Sequence, residues 1–244
     1  WQFNEPFPNA WCTSALDYYA RTKRVYYAVA RAYRPVSVSA RFDRMAWAGH
    51  SAFAADLWAV SSLPRPLEAA TVVWRLVGAD GSVYGEGRWS GTIPSRQPLP
   101  LLRTEVPLDG LVGDLFYLAL ELADAAGTVL TERRYPFSRT GTMEPMLSVP
   151  RTSVQAEKRE AGADRWLVTL ANAGGHAALQ LHLEDARPLS AAGYAYFSDN
   201  DWTLFPGEKK TFSVDWSGVP EEQRVLEIAG WNTDTIAIGQ GVPE

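Results

Sequence analysis

The residue pair with the clearest capacity for chemistry is Asn4-Glu5, set within the aromatic, proline-bounded run Trp1 to Pro8. A carboxylate there could exchange a proton or accept a hydroxyl hydrogen bond, and the indole of Trp1 could offer a flat apolar face. The other candidates are less suited. Ser14 lies in Cys12-Thr13-Ser14, without the Gly-x-Ser-x-Gly elbow that presents a serine nucleophile. His50, His176 and His182 are scattered along the chain, so no hydrolase triad is expected from them. Asp199-Asn200-Asp201 is rich in oxygen, as calcium loops are, but lacks the glycine and distal glutamate of the known loop pattern. A solvated β-turn is the expected state of that triplet. Cys12 is the single cysteine, which excludes an intrachain disulfide and any multi-cysteine metal site. No metal and no cofactor are expected. Trp89, Trp202 and Trp231 could form a sugar platform on a sheet surface, although packing alone would also account for Trp202 and Trp231.

These residues are positioned mostly by strands. From Thr22 to Tyr33 the apolar residues Val25, Val29, Ala32 and Tyr33 recur at helical spacing and share one face. Thr22 is placed to cap this helix and Pro35 to end it. After Pro35 the period falls to two, in short segments separated by Gly, Pro and Asp turns, which predicts an all-β sandwich. Val72, Trp74 and Leu76 oppose Val73, Arg75 and Val77, and Phe116, Leu118, Leu120 and Leu122 oppose their neighbours in the same way. Asp80-Gly81 between two such runs predicts a hairpin. Residues 141–150, with two prolines, read as a linker. A second block follows, in which Leu179, Leu181 and Leu183 alternate with Gln180, His182 and Glu184, and Phe212, Val214 and Trp216 with Ser213 and Asp215. The two blocks, 36–140 and 151–244, show no repeat of each other.

Length and composition agree with this division. The 244 residues, 46% of them hydrophobic, suffice for two domains of about 100 residues with proper cores. Ten Trp, ten Tyr and nine Phe suit strands and, where exposed, sugar-stacking surfaces. A net charge of −5 over a mixed surface supplies no basic stripe, which argues against nucleic acid as a partner. The sequence has no apolar run of about 18 residues and no basic-then-apolar N-terminus, so neither a membrane span nor a signal peptide is expected within it. Four Lys against nineteen Arg suggest a bacterial, GC-rich genome.

Four motifs carry a resemblance. Trp1-Gln2-x-Asn4-Glu5-x-x-Pro8 resembles the eighth strand of the catalytic barrel in glycoside hydrolase family 2, the group of β-mannosidases, exo-β-glucosaminidases and β-galactosidases. Asp17-Tyr18-Tyr19-x-Arg21-x-Lys23-x-x-Tyr26-Tyr27 resembles the turn and helix that follow that strand. Tyr196-Phe197-Ser198-Asp199-Asn200 with Leu204-x-Pro206-Gly207-Glu208 resembles a hairpin of the family's last domain, and Trp231-Asn232 fits near its end. Together they cover nearly the whole chain.

The resemblance implies a mainly β fold: two immunoglobulin-like antiparallel β-sandwiches in series (36–140 and 151–244), preceded by a remnant strand and helix of a (β/α)8 barrel (1–35). It also implies a parent that hydrolyses β-linked sugars, mannosides or glucosaminides before galactosides, with retention. Such enzymes use two glutamates about 5–5.5 Å apart, placed in this family at the ends of the fourth and seventh barrel strands. A barrel takes roughly 250 residues, of which only the first 35 here could be part. No catalytic residue is therefore expected in this chain, and it should be inactive alone. Its partner would be the rest of the barrel. By the same resemblance Trp1, Asn4 and Glu5 are candidate substrate-facing residues of the intact enzyme, Trp1 lining the glycone pocket. A stand-alone carbohydrate-binding module and a sugar-independent interaction protein are the rival readings. Residues 1–22, torn from their sheet, are expected either to fray or to add to another sheet.

Overall fold

A computed structural model gives the architecture; it describes residues 2–8 and 13–239. One helix, α1 (Arg24–Ala32), precedes two all-β units. The chain divides after Val29 and again after Val149, so that the described residues up to Val29 group with those from Pro150 onward, and Ala30–Val149 forms the other unit. Each is taken separately.

In the 30–149 unit, β1 (Val36–Arg41), β2 (Ala52–Ser61) and β5 (Pro98–Pro107) form one antiparallel sheet in the order β1-β2-β5. The facing sheet has the order β4-β3-β6-β7, from β3 (Leu67–Gly78), β4 (Val83–Ile93), β6 (Leu115–Ala123) and β7 (Val129–Ser138). Val72 and Leu76 point into the core with Phe116, Leu118, Leu120 and Leu122, as their period-two spacing requires. Phe53, Phe116 and Phe137 meet at ring separations of 4.8 to 5.7 Å between the two sheets. The Asp80-Gly81 turn joins β3 to β4, with Gly81 at φ 84°, a conformation costly for a residue with a Cβ.

The other unit is also a sandwich. β8 (Val154–Glu160), β9 (Arg165–Asn172), β11 (Tyr194–Phe197) and β13 (Lys209–Ser217) form the sheet β11-β13-β9-β8. β10 (Ala178–Asp185), β12 (Trp202–Leu204), β14 (Val225–Ala229) and β15 (Ile236–Gly239) form β12-β10-β14-β15. Leu181 and Leu183 of β10 meet Phe212, Val214 and Trp216 of β13 in the core, again as alternation predicts. Near Gln180, at φ 52°, the register of β10 against β12 shifts. A left-handed residue inside a strand interrupts the ladder and leaves backbone groups that side chains must satisfy.

The N-terminal segment packs onto this sandwich without joining either of its sheets. It folds into a hook: Leu16 N donates to Phe3 O (2.8 Å), Lys23 N to Ala15 O (3.0 Å), and isolated bridges link Asn4 to Leu16 and Leu16 to Thr22. Addition to a neighbouring sheet, one of the two expected fates, is not observed, because the segment pairs with itself.

In α1 the apolar face behaves unexpectedly. Val25, Ala28, Val29 and Ala32 lie on one side and are exposed, at 43% for Val25 and 41% for Val29, whereas Tyr27 on the opposite side is buried in the sandwich core. Thr22, expected as the N-cap, hydrogen-bonds the Tyr27 hydroxyl at 2.9 Å. Burial of a ring of this size stabilises by about 1.5–3 kcal/mol.

Burial also pushes the Tyr27 phenol up to about 12, against weaker opposing hydrogen bonds from Thr22 and Asn200. The folded state thus holds this proton more tightly than the unfolded chain, so its contribution is intact below the ordinary tyrosine range and is lost as pH rises toward 12. Denaturant unfolding of the wild type should weaken by about 2 kcal/mol between pH 9 and pH 11.5 relative to Tyr27→Phe; parallel pH profiles for the two proteins would contradict this.

Candidate functional site

Glu5 is buried inside the hook. Its Oε1 accepts from the Lys23 ammonium and lies 3.0 Å from Ser14 Oγ, which in turn is 2.7 Å from Leu16 O and 3.2 Å from Lys23 Nζ. A carboxylate so committed ties its own segment to the residues just before α1. Asn4, one residue earlier, is exposed. Trp1, the third residue of that set, lies outside the described residues, as does Cys12.

The hook turns at Asp17. Asp17 Oδ1 accepts from the Tyr19 and Arg21 amides at 2.8 and 2.9 Å, and Oδ2 from Arg21 Nε at 2.7 Å. These bonds hold Ala20 at φ 63°, where an L-residue is strained. Arg21 then reaches β10 and donates to Glu184 Oε1 at 2.8 Å.

The Asp199-Asn200-Asp201 triplet differs from its expected state: all three residues are buried, so it is not a solvated turn. Asn200 clamps β10, accepting from Leu183 N and donating to Leu183 O, both at 2.8 Å. Asp201 Oδ1 lies 3.1 Å from His182 Nδ1 and 3.2 Å from Arg24 Nε. Asn232 repeats the device at the other end of β10, accepting from Leu179 N at 2.9 Å and donating to Ala177 O at 2.9 Å and Pro150 O at 2.8 Å. Two of the sequence motifs thus supply amides that complete the backbone pairing of an irregular strand.

Each of the three indoles named as a possible platform is already engaged within its own unit. Trp202 is 5% exposed, with the Lys210 ammonium 4.0 Å from its ring centre. Trp231 is 45% exposed, but the Arg24 guanidinium lies 5.0 Å from its centre. Trp89 belongs to the other unit and packs against that unit's core. Each ring already faces a cation or a core, an arrangement worth roughly 0.5–2 kcal/mol for the cation pairs.

A groove of about 110 Å³ does open beside the hook, between the Tyr19–Thr22 turn, β10 from His182 to Asp185, and the loop and strand from Arg187 to Phe197. Sequence reasoning named Tyr19, Arg21, Thr22, His182, Leu183, Glu184 and Phe197 in other roles but did not bring them together as a groove. The usable signal was local: Asp185-x-Arg187-Pro188 announces a charged turn, and Gly193-Tyr194 a positive-φ residue ahead of an aromatic strand.

The architecture has known counterparts. The exo-β-D-glucosaminidase Ig-fold domain model matches residues 134–233. β-Mannosidase B of Aspergillus niger is 39% identical over 72 residues, which cover 27% of this chain and 8% of that protein. Among solved structures, the exo-chitosanase CsxA of Amycolatopsis orientalis superposes with a TM-score of 0.79 over 97% of this chain, at 18% identity. The matches support a resemblance of this chain to the C-terminal region of glycoside hydrolase family 2 enzymes. A β-D-mannosidase from Dictyoglomus thermophilum superposes with a TM-score of 0.71 over 96% of this chain, at 18% identity. The chain spans 30% and 26% of these two solved proteins. At such identity the superpositions bear on the fold, which is mainly β and immunoglobulin-like.

The clamp on β10 yields a direct test. Asn200→Ala strips partners from the Leu183 amide and carbonyl at once, and each buried unsatisfied group costs about 1–3 kcal/mol. Chemical denaturation should show a loss of about 2–5 kcal/mol, with a smaller loss for the exposed control Asn4→Ala; equal and negligible losses would exclude the clamp.

Proposed function

We propose that this chain is the accessory, non-catalytic part of a retaining glycoside hydrolase that removes β-linked sugars such as β-mannosides or β-glucosaminides. The observation that carries this reading is the outward apolar face of α1. A helix whose apolar side faces solvent while a tyrosine on the opposite side is buried has two packing surfaces, and only one is filled here. A barrel helix needs both an inner face on the strands and an outer contact with the domain beyond. On this reading Val25, Ala28, Val29 and Ala32 rest against the barrel strands, residues 2–8 supply its last strand, and residues 1–35 are its remnant. The sandwich from 150 onward buttresses the helix from outside through Tyr27.

Within that enzyme the exposed Asn4 faces the sugar, as the resemblance implies for Trp1 also, while Glu5 holds its own segment through Lys23 and Ser14. The glutamate pair that performs the displacement lies in barrel strands beyond these 244 residues. The matched Ig-fold domain and the A. niger relative favour a glucosaminide or mannoside as substrate.

An assay with p-nitrophenyl β-mannoside and β-glucosaminide should give no turnover with this chain. The same sequence joined to its barrel should hydrolyse one of them, and Val25→Asp with Val29→Asp in that longer protein should lower its unfolding midpoint by more than the same pair does in this chain alone. Turnover by the 244 residues, or an equal effect of the charges in both contexts, would contradict the proposal.

A further inference from the structure

The groove beside the hook is built for a small neutral or amine-bearing polyol, and we propose that it binds one pyranose unit of an oligosaccharide. Its size is the first reason. Its volume of about 110 Å³ is well above the roughly 10–15 Å³ that a single water requires, so the groove admits a ligand larger than water.

Its charges are the second. Arg21 is paired with Asp17 and Glu184, and Arg187 donates to both oxygens of Asp185 and to Ala192 O. A phosphate or sulfate would need a guanidinium not already engaged by a carboxylate, and an apolar ligand would bury these carboxylates without compensation. Hydroxyl pairs suit them: each carboxylate keeps lone pairs for O–H donors, and each guanidinium fork is held rigid by its partner.

Its rim is the third. Tyr194 is 61% exposed, and Tyr19, from a separate segment that also lines the groove, is exposed too, so the groove presents aromatic rings for the C–H face of a pyranose. The walls are fixed in advance. Ala20 holds its positive φ beneath Tyr19, and Gly193 precedes Tyr194 at φ 78°, where a Cβ would come within 2.5 Å of Ser217 O. Preorganised walls reduce the ordering cost of binding so small a ligand.

That the polyol is a sugar rests on the proposed place of this chain in a glycoside hydrolase; the selection of a neutral or amine-bearing ligand over an anion does not. The test is a titration of the isotope-labelled 244-residue chain, followed by amide chemical shifts, with mannobiose, chitobiose and inorganic phosphate. Saturable shifts with a disaccharide at residues 19–22, 182–187 and 193–195 are expected, weakened about fivefold to tenfold by Tyr194→Ala and unchanged by Trp231→Ala. Shifts centred on Trp231, saturation by phosphate alone, or no saturable shift up to about 20 mM sugar would overturn the proposal. Turnover of p-nitrophenyl glycosides by the longer protein is read separately, so the groove and the enzyme reading can fail independently.

Discussion

The buried carboxylate of Asp201 is the interaction on which the rest of the 150–239 unit and its N-terminal hook depends. It receives Arg24 from the first turn of α1 and His182 from β10, while its neighbour Asn200 closes the backbone of Leu183. Its second oxygen meets no donor among the described residues. Burying such a group is expensive and stabilises little by itself, but once it is buried its partners can take few other positions. That constraint decides where Tyr27 enters the core and therefore which way the apolar side of α1 points. It also sets the Arg24 guanidinium over Trp231, so the exposed indole is held by the same knot.

β10 shows how structure and binding share one strand. Its inward residues Leu181 and Leu183 fill the core, whereas His182 faces the Asp201 knot and Glu184 and Asp185 border the groove. The register shift near Gln180 would weaken such a strand at its start, and Asn232 and Asn200 compensate at either end. Asn200 and Asn232, which belong to the motifs that resemble the family's last domain, are thus explained by backbone satisfaction. The groove uses what the strand leaves outside, closed by a hook held at Asp17 and at the Glu5–Lys23 pair.

Period-two alternation made β3, β6, β10 and β13 legible before any coordinates, because burial on one face of a strand leaves that trace directly in the order of residues. The Asp80-Gly81 hairpin was legible for the same local reason. What failed required knowledge of distant partners. Periodicity revealed a face on α1 but could not say whether Tyr27 or Val25 and Val29 would find the core. The Asp199-Asn200-Asp201 triplet has the composition of a solvated turn, and only its pairing with Leu183 and Arg24 explains its burial. Glu5 and Lys23 are 18 residues apart, and no local rule joins them. Counting indoles could not reveal that Lys210 lies over Trp202. The groove escaped notice because three separated segments build it.

The most direct measurement of this account is native-state hydrogen exchange on the isolated chain, comparing the hook amides of Leu16 and Lys23 with Leu183 of β10. If the Asp201 knot and the Glu5–Lys23 pair join hook, helix and sandwich into one cooperative unit, all three amides should exchange through openings of similar free energy. Free exchange at Leu16 and Lys23 alongside full protection at Leu183 would contradict it, leaving the hook an appendage that the sandwich does not hold.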